Sequence, residues 1–499
     1  MRRRSFLAGV TAAGVLGAGR VFADMPSSLL DKARRLAATP YIPQRTPLPP
    51  PFAGLSYDAY RGIRPIPGRA AMLPLGKDFS VDLLPPGLFF PDPVRIDRDS
   101  GSGPQEIVFS TDLFSFQDRY FDTIPDSAPG AGFSGLRLRH PLNAPDRLDE
   151  VLVVQGASYF RAIGQAMVYG LSARAVAIGT GGPDPEEFPR FTHLRLHAPQ
   201  SGTVSLEGVI DSPSLAGHIQ MTLRPGADTV MDISCTLMPR RDIADIGVAP
   251  LTSMYLKGPL RAAVSDDFRP RVHDSDLLWI ENGAGERIWR PISNPAQVET
   301  SSFVDTNPAS FGLFQTARAF ADFEDTEARY HDRPNAVVQP KSAWGRGAVV
   351  LVEIPTGDEF MDNIVAFWRP EAPLAAHSEH RFDYSLRWTR AAAGSDRDAR
   401  VLQSRSGREH DQPGTRRYVI DITGEASGRV LDITAEGVVE ITGVSLFDLP
   451  EQRGTRMTFL LNPQDRDAVD LRLVVRELSA DRRDLVWLHR WTRARDGGV

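Results

Sequence analysis

The sequence predicts an all-β protein, built as a large β-sandwich followed by a small immunoglobulin-like β-sandwich. Three observations carry this expectation. Glycine and proline are abundant, 42 and 40 of 499 residues. Short segments alternating apolar and polar residues recur along the chain, the period-2 pattern of half-buried strands. Turn pairs such as Pro225-Gly226 and Asn282-Gly283 punctuate them. No segment repeats at a fixed period, which disfavours a propeller or a solenoid.

Residues 1–23 read as an export signal. A basic head, Arg2-Arg3-Arg4, precedes an apolar run from Phe6 to Gly19, and small residues lead up to Ala23. The pair Arg3-Arg4 followed by Ser5-Phe6-Leu7 marks the twin-arginine type. The run is too short and too glycine-rich to span a bilayer, which takes about 20 apolar residues, and no later stretch does better. Cleavage after Ala23 leaves a soluble periplasmic chain. It also removes four arginines, moving the formal charge from −6 to −10. Such a chain lacks the basic footprint of a nucleic-acid binder and has no charge attraction to anionic lipid. The single cysteine, Cys235, excludes a disulfide within the chain. Its alternating surroundings, Val230 to Leu237, favour a half-buried strand residue over a nucleophile.

The first helix is expected from Ser28 to Ala38. Ser28 and Asp31 make a capping start, Leu29, Leu30, Ala33 and Leu36 recur at helical spacing, and Thr39-Pro40 ends it. Pro43 to Pro51 reads as extended. From about Tyr57 to Trp388 strand follows strand, with Glu150–Val154, His193–His197 and Gly347–Ile354 as examples, and the large domain is taken as 24–390. Residues 391–414 turn rich in Arg, Asp, Ser and Gly and read as a linker. The domain 415–499 carries six expected strands: Tyr418–Ile422, Arg429–Thr434, Val438–Ser445, Thr455–Leu461, Val469–Val475 and Leu485–Trp491.

Ten histidines are scattered, and there is no H-E-x-x-H run and no cysteine pair, so neither a metal nor another cofactor is predicted. His193 and His197 would face the same side of one strand too far apart to share an ion. Gly179-Thr180-Gly181-Gly182-Pro183 reads as a turn, since a nucleotide loop needs a helix behind it, and no G-x-S-x-G elbow is present. Carboxylates and aromatics remain, the groups with which a protein holds and cleaves a neutral saccharide. They gather in Val272-His273-Asp274-Ser275-Asp276 near Trp279 and Trp289, in Glu327 to Pro334, and in Asp358 to Asn363 ahead of Ile364 to Trp368. Each has a plain alternative. Asp274 and Asp276 suit Asx turns, Tyr330 and the tryptophans suit a core, and Asp358–Asn363 suits a solvated hairpin loop. With 63 acidic residues, composition singles out no pair.

Several ordered motifs resemble the periplasmic glucan biosynthesis proteins G and D. They are Gly156 to Ala162, Tyr169 to Arg174, Glu187 to Phe191, Ala249 to Met254, Val272 to Asp276 and Asp362 to Trp368. The twin-arginine signal resembles the D branch. The resemblance implies a galactose-mutarotase-like sandwich joined to the immunoglobulin-like one. It also implies work on osmoregulated periplasmic glucans, whose backbone is β-1,2-linked glucose. The implied activity is an inverting endo-glycoside hydrolase, with a transglycosylase or cyclising enzyme, or a non-catalytic glucan-binding protein, as alternatives. By motif, Asp362 resembles the general acid, Asp274 the base side and Tyr330 a member of the proton path. Asp358 and Glu359 are then expected to help raise the Asp362 pKa, and His273 or Arg329 to keep Asp274 ionised. Glu359, Arg329, Arg333, Lys341 and Trp344 are expected substrate contacts as neighbours of the motifs. Phe360 and Met361 stand where the family commonly has a small polar pair. The expected partner is β-1,2-linked glucan, and a homodimer is left open.

Overall fold

The computed structural model describes residues 28–43, 47–76, 78–260, 266–395, 399–437, 439–477 and 482–496. The expected signal, 1–23, lies outside them. The first helix forms at Leu29–Ala37, and the Ser28 side chain accepts the Asp31 N–H as its cap. Leu29 and Ala33 bury against Val209 and Met238.

The rest is predominantly β. A sheet of fourteen strands has Thr229–Pro239 and His380–Thr389 side by side, and a sheet of eleven holds Ile246–Ser253, Ile364–Pro370 and Arg346–Glu353 in succession. Their apolar faces share one core, to which the first sheet contributes Ile233 and Leu386 and the second Leu251, Leu351 and Ala366. Each of the Ile and Leu side chains among them stabilises the fold by about 1.5–3 kcal/mol on burial. The strands expected around Val151, Leu194 and Val350 appear as Arg147–Gln155, Arg190–His197 and Arg346–Glu353. Cys235 is only 1% exposed. Burial pushes its thiol up to about 12, so it carries no thiolate at neutral pH. The glycine-rich segment is a turn, with Gly182 N–H donating to Gly179 O. No described helix is long and apolar enough to cross a membrane.

All six strands expected near the C-terminus are present. One more, Val401–Arg408, lies inside the stretch read as a linker. It is an edge strand that pairs only with Arg416–Thr423. Most of its side chains are half-buried or exposed, so it is as polar as a loop and its backbone pairing left no apolar signature. The C-terminal strands also divide unexpectedly. Four form their own sheet, while Arg429–Ala435, Ala468–Glu477 and Arg482–Thr492 extend the fourteen-stranded sheet. The join is a short parallel pairing of Ile288 with Val486 and Trp289 with Trp487. Trp279 and Trp289 pack in a second core with Tyr418, Phe459 and Trp487, so for these tryptophans the plain reading holds.

Beside that join lies a fully buried polar cluster. Glu353 accepts from Arg290 Nη2 at 2.9 Å and from Ser293 N and Oγ at 2.7 and 3.0 Å. Arg495 Nη1 donates to the same Ser293 hydroxyl at 2.7 Å.

Candidate active site

One residue, Tyr255, holds two segments in register. Its backbone N–H donates to Asn363 Oδ1 at 2.8 Å, and its carbonyl accepts from Asn363 Nδ2 at 3.1 Å. Asn363 also donates to Ile354 O at 2.8 Å, closing the loop 354–363 at its base. On its other side the strand Tyr255–Lys257 pairs with Val272–His273, and the Tyr255 ring stacks on His273 with centroids 5.4 Å apart. Asp362 and Asp274 each lie one residue beyond these anchors.

The two carboxyls have different surroundings. Asp362 keeps 35% of its side-chain surface open, yet protein surrounds it on most sides. Burial raises its pKa. The Arg161 guanidinium, 3.4 Å away, opposes the rise, and the charge of Asp274 adds to it. Asp274 is 4% exposed and accepts a hydrogen bond from Arg333 Nη1 at 2.5 Å. The Arg333 guanidinium is thus the counter-charge set against this buried carboxyl. Arg333 reaches it by passing over the Tyr330 ring, 4.3 Å from the centroid, and past Gly170. A Cβ at Gly170 would lie 2.8 Å from Arg333 Cβ, so only glycine leaves room there.

Tyr330 opens a short 3-10 turn behind Arg329, whose φ of 50° lies in the left-handed region. Its hydroxyl donates to Glu359 Oε2 at 2.7 Å. Burial and Glu359 both push the phenol pKa up, keeping it a donor. Arg269 Nη1 bridges Glu359 Oε2 and Asp325 Oδ2 at 2.7 and 2.8 Å. Aromatic rings stand near these groups. Arg174 lies over Tyr159 and Phe188, and Phe188 and Phe360 are 46% and 90% exposed. Such faces suit sugar rings.

A family model described as periplasmic glucan biosynthesis protein, MdoG, matches residues 25–491. The chain belongs to the MdoG family. It is 40% identical over 469 residues to the glucans biosynthesis protein G of Shewanella frigidimarina, covering 92% of this chain and 83% of that one. The protein of the same name from Vibrio cholerae serotype O1 is 40% identical over 467 residues, covering 92% and 85%. That of Shewanella baltica is 37% identical over 468 residues, covering 92% and 86%. This MdoG-family chain is periplasmic, as the sequence predicts.

Within this MdoG fold, Asp362, Asp274, Tyr330, Glu359 and Arg333 come together, and other expected residues do not join them. Lys341 pairs with Asp232 at 2.6 Å on the fourteen-stranded sheet. Trp344 is core, packed on Trp368, Phe382 and Tyr384. Arg329 pairs with Asp332 at 2.5 Å and remains half exposed. His273 is fully buried, which lowers its pKa and leaves it neutral. The cation beside Asp274 is therefore Arg333, in place of Arg329 or His273. Nor do Asp358 and Glu359 raise Asp362: Asp358 caps the Phe360 N–H, and Glu359 is held by Arg269 and Tyr330. Asp276 clamps Thr316 N–H at 2.8 Å. His193 and His197 bond separate carboxylates, Asp97 and Glu207, and the described residues contain no cluster of three metal-type ligands.

Sequence reading missed Arg161, Arg174 and Arg269 as site residues. The first two flank Tyr159, across the pairing of Tyr159 with Arg174, inside motifs already recognised. Arg269 had no local signal. Because Arg161 holds the Asp362 pKa down, Arg161→Gln is expected to raise that pKa further, as read by NMR titration of the Asp362 carboxyl. An unmoved titration would remove Arg161 from this role.

Proposed function

We propose that this chain is an inverting glycoside hydrolase that cleaves internal bonds of β-1,2-linked glucan. The observation that carries this reading is a pair of carboxyls in different surroundings. Burial favours the protonated form of Asp362, while Asp274 accepts a hydrogen bond from the Arg333 guanidinium. Asp362 donates its proton to the glycosidic oxygen as that bond breaks. Water attacks the anomeric carbon from the other face, and its proton leaves toward the Asp274 side. Tyr330 serves as the relay. Its hydroxyl donates to Glu359 at rest, so to relay the water's proton it turns its O–H from Glu359 to Asp274 and passes that proton on as it accepts the one from water.

The family resemblance supports reading the large part as galactose-mutarotase-like and residues 415–499 as immunoglobulin-like. Assignment to the D branch, and export by the twin-arginine route, rest on Arg3-Arg4 and the residues after them. The test of function is incubation of the mature protein with linear β-1,2-glucan, with product sizing and NMR of the new reducing ends. Short linear products released as the α-anomer are expected. Cyclic products, or products rejoined to longer chains, would make it a transglycosylase. An unaltered polymer that still binds would make it a glucan-binding protein.

A further inference from the structure

The loop 354–363 is gripped a second time, from behind, by a side chain outside every motif singled out in the sequence. Asn294 follows the strand Arg287–Pro291. Its Oδ1 accepts the Thr356 N–H at 3.0 Å, and its Nδ2 donates to Thr356 O at 2.8 Å and to Leu256 O at 3.2 Å. A primary amide presents a donor and an acceptor side by side, as a peptide group does, so Asn294 meets Thr356 as a neighbouring strand would. Asn363 meets Tyr255 in the same manner from the other end of the loop. The two amides thus lock the outgoing and the returning limb of the loop to one dipeptide, Tyr255-Leu256.

Asn294 stands on a fixed base. Glu353 holds the preceding Ser293 through its N–H and its hydroxyl, and that hydroxyl also accepts from Arg495. Pro295, which follows, disfavours helical backbone at Asn294. Arg495 in turn bonds Asp496 and the carbonyl of Arg490 in the last strand. The C-terminal segment therefore supports the loop, although it contributes no group to the candidate active site.

The tether also carries forward. Gly357, Asp358 and Phe360 are exposed, so hydrogen bonds rather than a core must hold this part of the loop. The Thr356 hydroxyl donates to Asp358 O at 2.9 Å, and Asp358 Oδ1 accepts the Phe360 N–H at 2.9 Å. Beside this chain of contacts stands Glu359, which holds Tyr330, and just beyond it Asp362. Without the grip on Thr356, the outgoing limb would be fixed only where Ile354 bonds Asn363.

We infer that Asn294 is a positioning residue, whose amide fixes the loop from behind and thereby sets where Asp362 and Glu359 stand. Its effect on turnover rests on the function proposed above, and its effect on the loop does not. The test uses the full mature protein with Asn294→Leu and, separately, Asn294→Ala. The first keeps bulk and removes the hydrogen bonds. The second admits water from an adjoining hollow of about 300 Å³, which Asn294, Leu256 and Thr356 line, so the freed backbone groups stay hydrated. Denaturant unfolding checks that each protein is folded. The readouts are NMR titration of the Asp362 carboxyl, and kcat and KM on linear β-1,2-glucan. Burial is the largest cause of the raised Asp362 pKa, so a loosened loop that admits water is expected to lower it. The value of kcat is expected to fall by about tenfold to a hundredfold, the scale of a displacement near 1 Å, with KM changed less. An unmoved Asp362 titration in the folded variants would overturn the positioning role, and lowered stability alone would make Asn294 a structural residue only. A wild type inactive on the glucan would overturn the function proposed above, and the titration would then decide the role of Asn294 by itself.

Discussion

Asp362→Asn is expected to lower kcat for β-1,2-glucan cleavage by about a thousandfold or more while leaving glucan binding near its original strength. The upper range for general acid–base catalysis, about 10⁴-fold, applies where the leaving group is a poor one such as a sugar alkoxide. The amide keeps the shape of the carboxyl but carries no acidic proton. The wild-type pH profile supplies a second readout. Burial raises the Asp362 pKa, so the reactive protonated form survives above the ordinary carboxylate range and is lost as pH rises through the raised value. The wild-type rate therefore falls on the alkaline side, and in Asp362→Asn that limb disappears from the residual rate. Retention of near wild-type kcat would remove Asp362 from the acid role.

Glu353→Ala is expected to cost about 3–5 kcal/mol of stability, the usual consequence of stranding one member of a buried ion pair. Arg290 is 2% exposed and Glu353 fully buried, so the remaining guanidinium has no water to turn to. Ser293 loses the acceptor for its N–H in the same step. Glu353→Gln keeps a hydrogen-bond acceptor and should cost less. Denaturant unfolding of both variants against wild type measures the difference, and equal stability of all three would refute the account. The change should also reach catalysis. The strand Arg346–Glu353 runs directly into the loop that Asn363 closes on Ile354, so a loosened Glu353 should lower kcat more than it raises KM.

The strands of this protein are readable because one face of each meets a core, and alternation records that. Which strand lies beside which is not readable in this way. His193 pairs with Arg95 and Ile288 with Val486, both in parallel, and nothing in either local pattern announces its distant partner. The edge strand Val401–Arg408 was mistaken for a linker because edges are solvated, and composition cannot separate a solvated strand from a loop. In the site, the carboxylates and Tyr330 were legible through motifs, since they occupy short contiguous runs. Their guanidinium partners were less so. Arg269 stands 90 residues before Glu359 along the chain, and only folding makes them neighbours. Lys341 and Trp344 failed for the converse reason. They are close to the motifs in sequence, but the strand Asn335–Pro340 carries the chain away into the main sheet before they occur.

The parallel join between Arg287–Pro291 and Arg482–Thr492 also governs how the chain must be made. The fourteen-stranded sheet cannot close until residues about 200 positions apart have met, and the later partner is synthesised well after the earlier one. Contacts of such long range slow folding, because loop-closure entropy is lost before any contact repays it. Until then Arg287–Pro291 presents an open edge carrying Ile288 and Trp289, the kind of surface that recruits another chain. A fragment ending before the last strands would keep that edge for its whole lifetime. The N-terminal part, although it holds every residue of the candidate active site, is thus not a unit that can be cut out and studied alone.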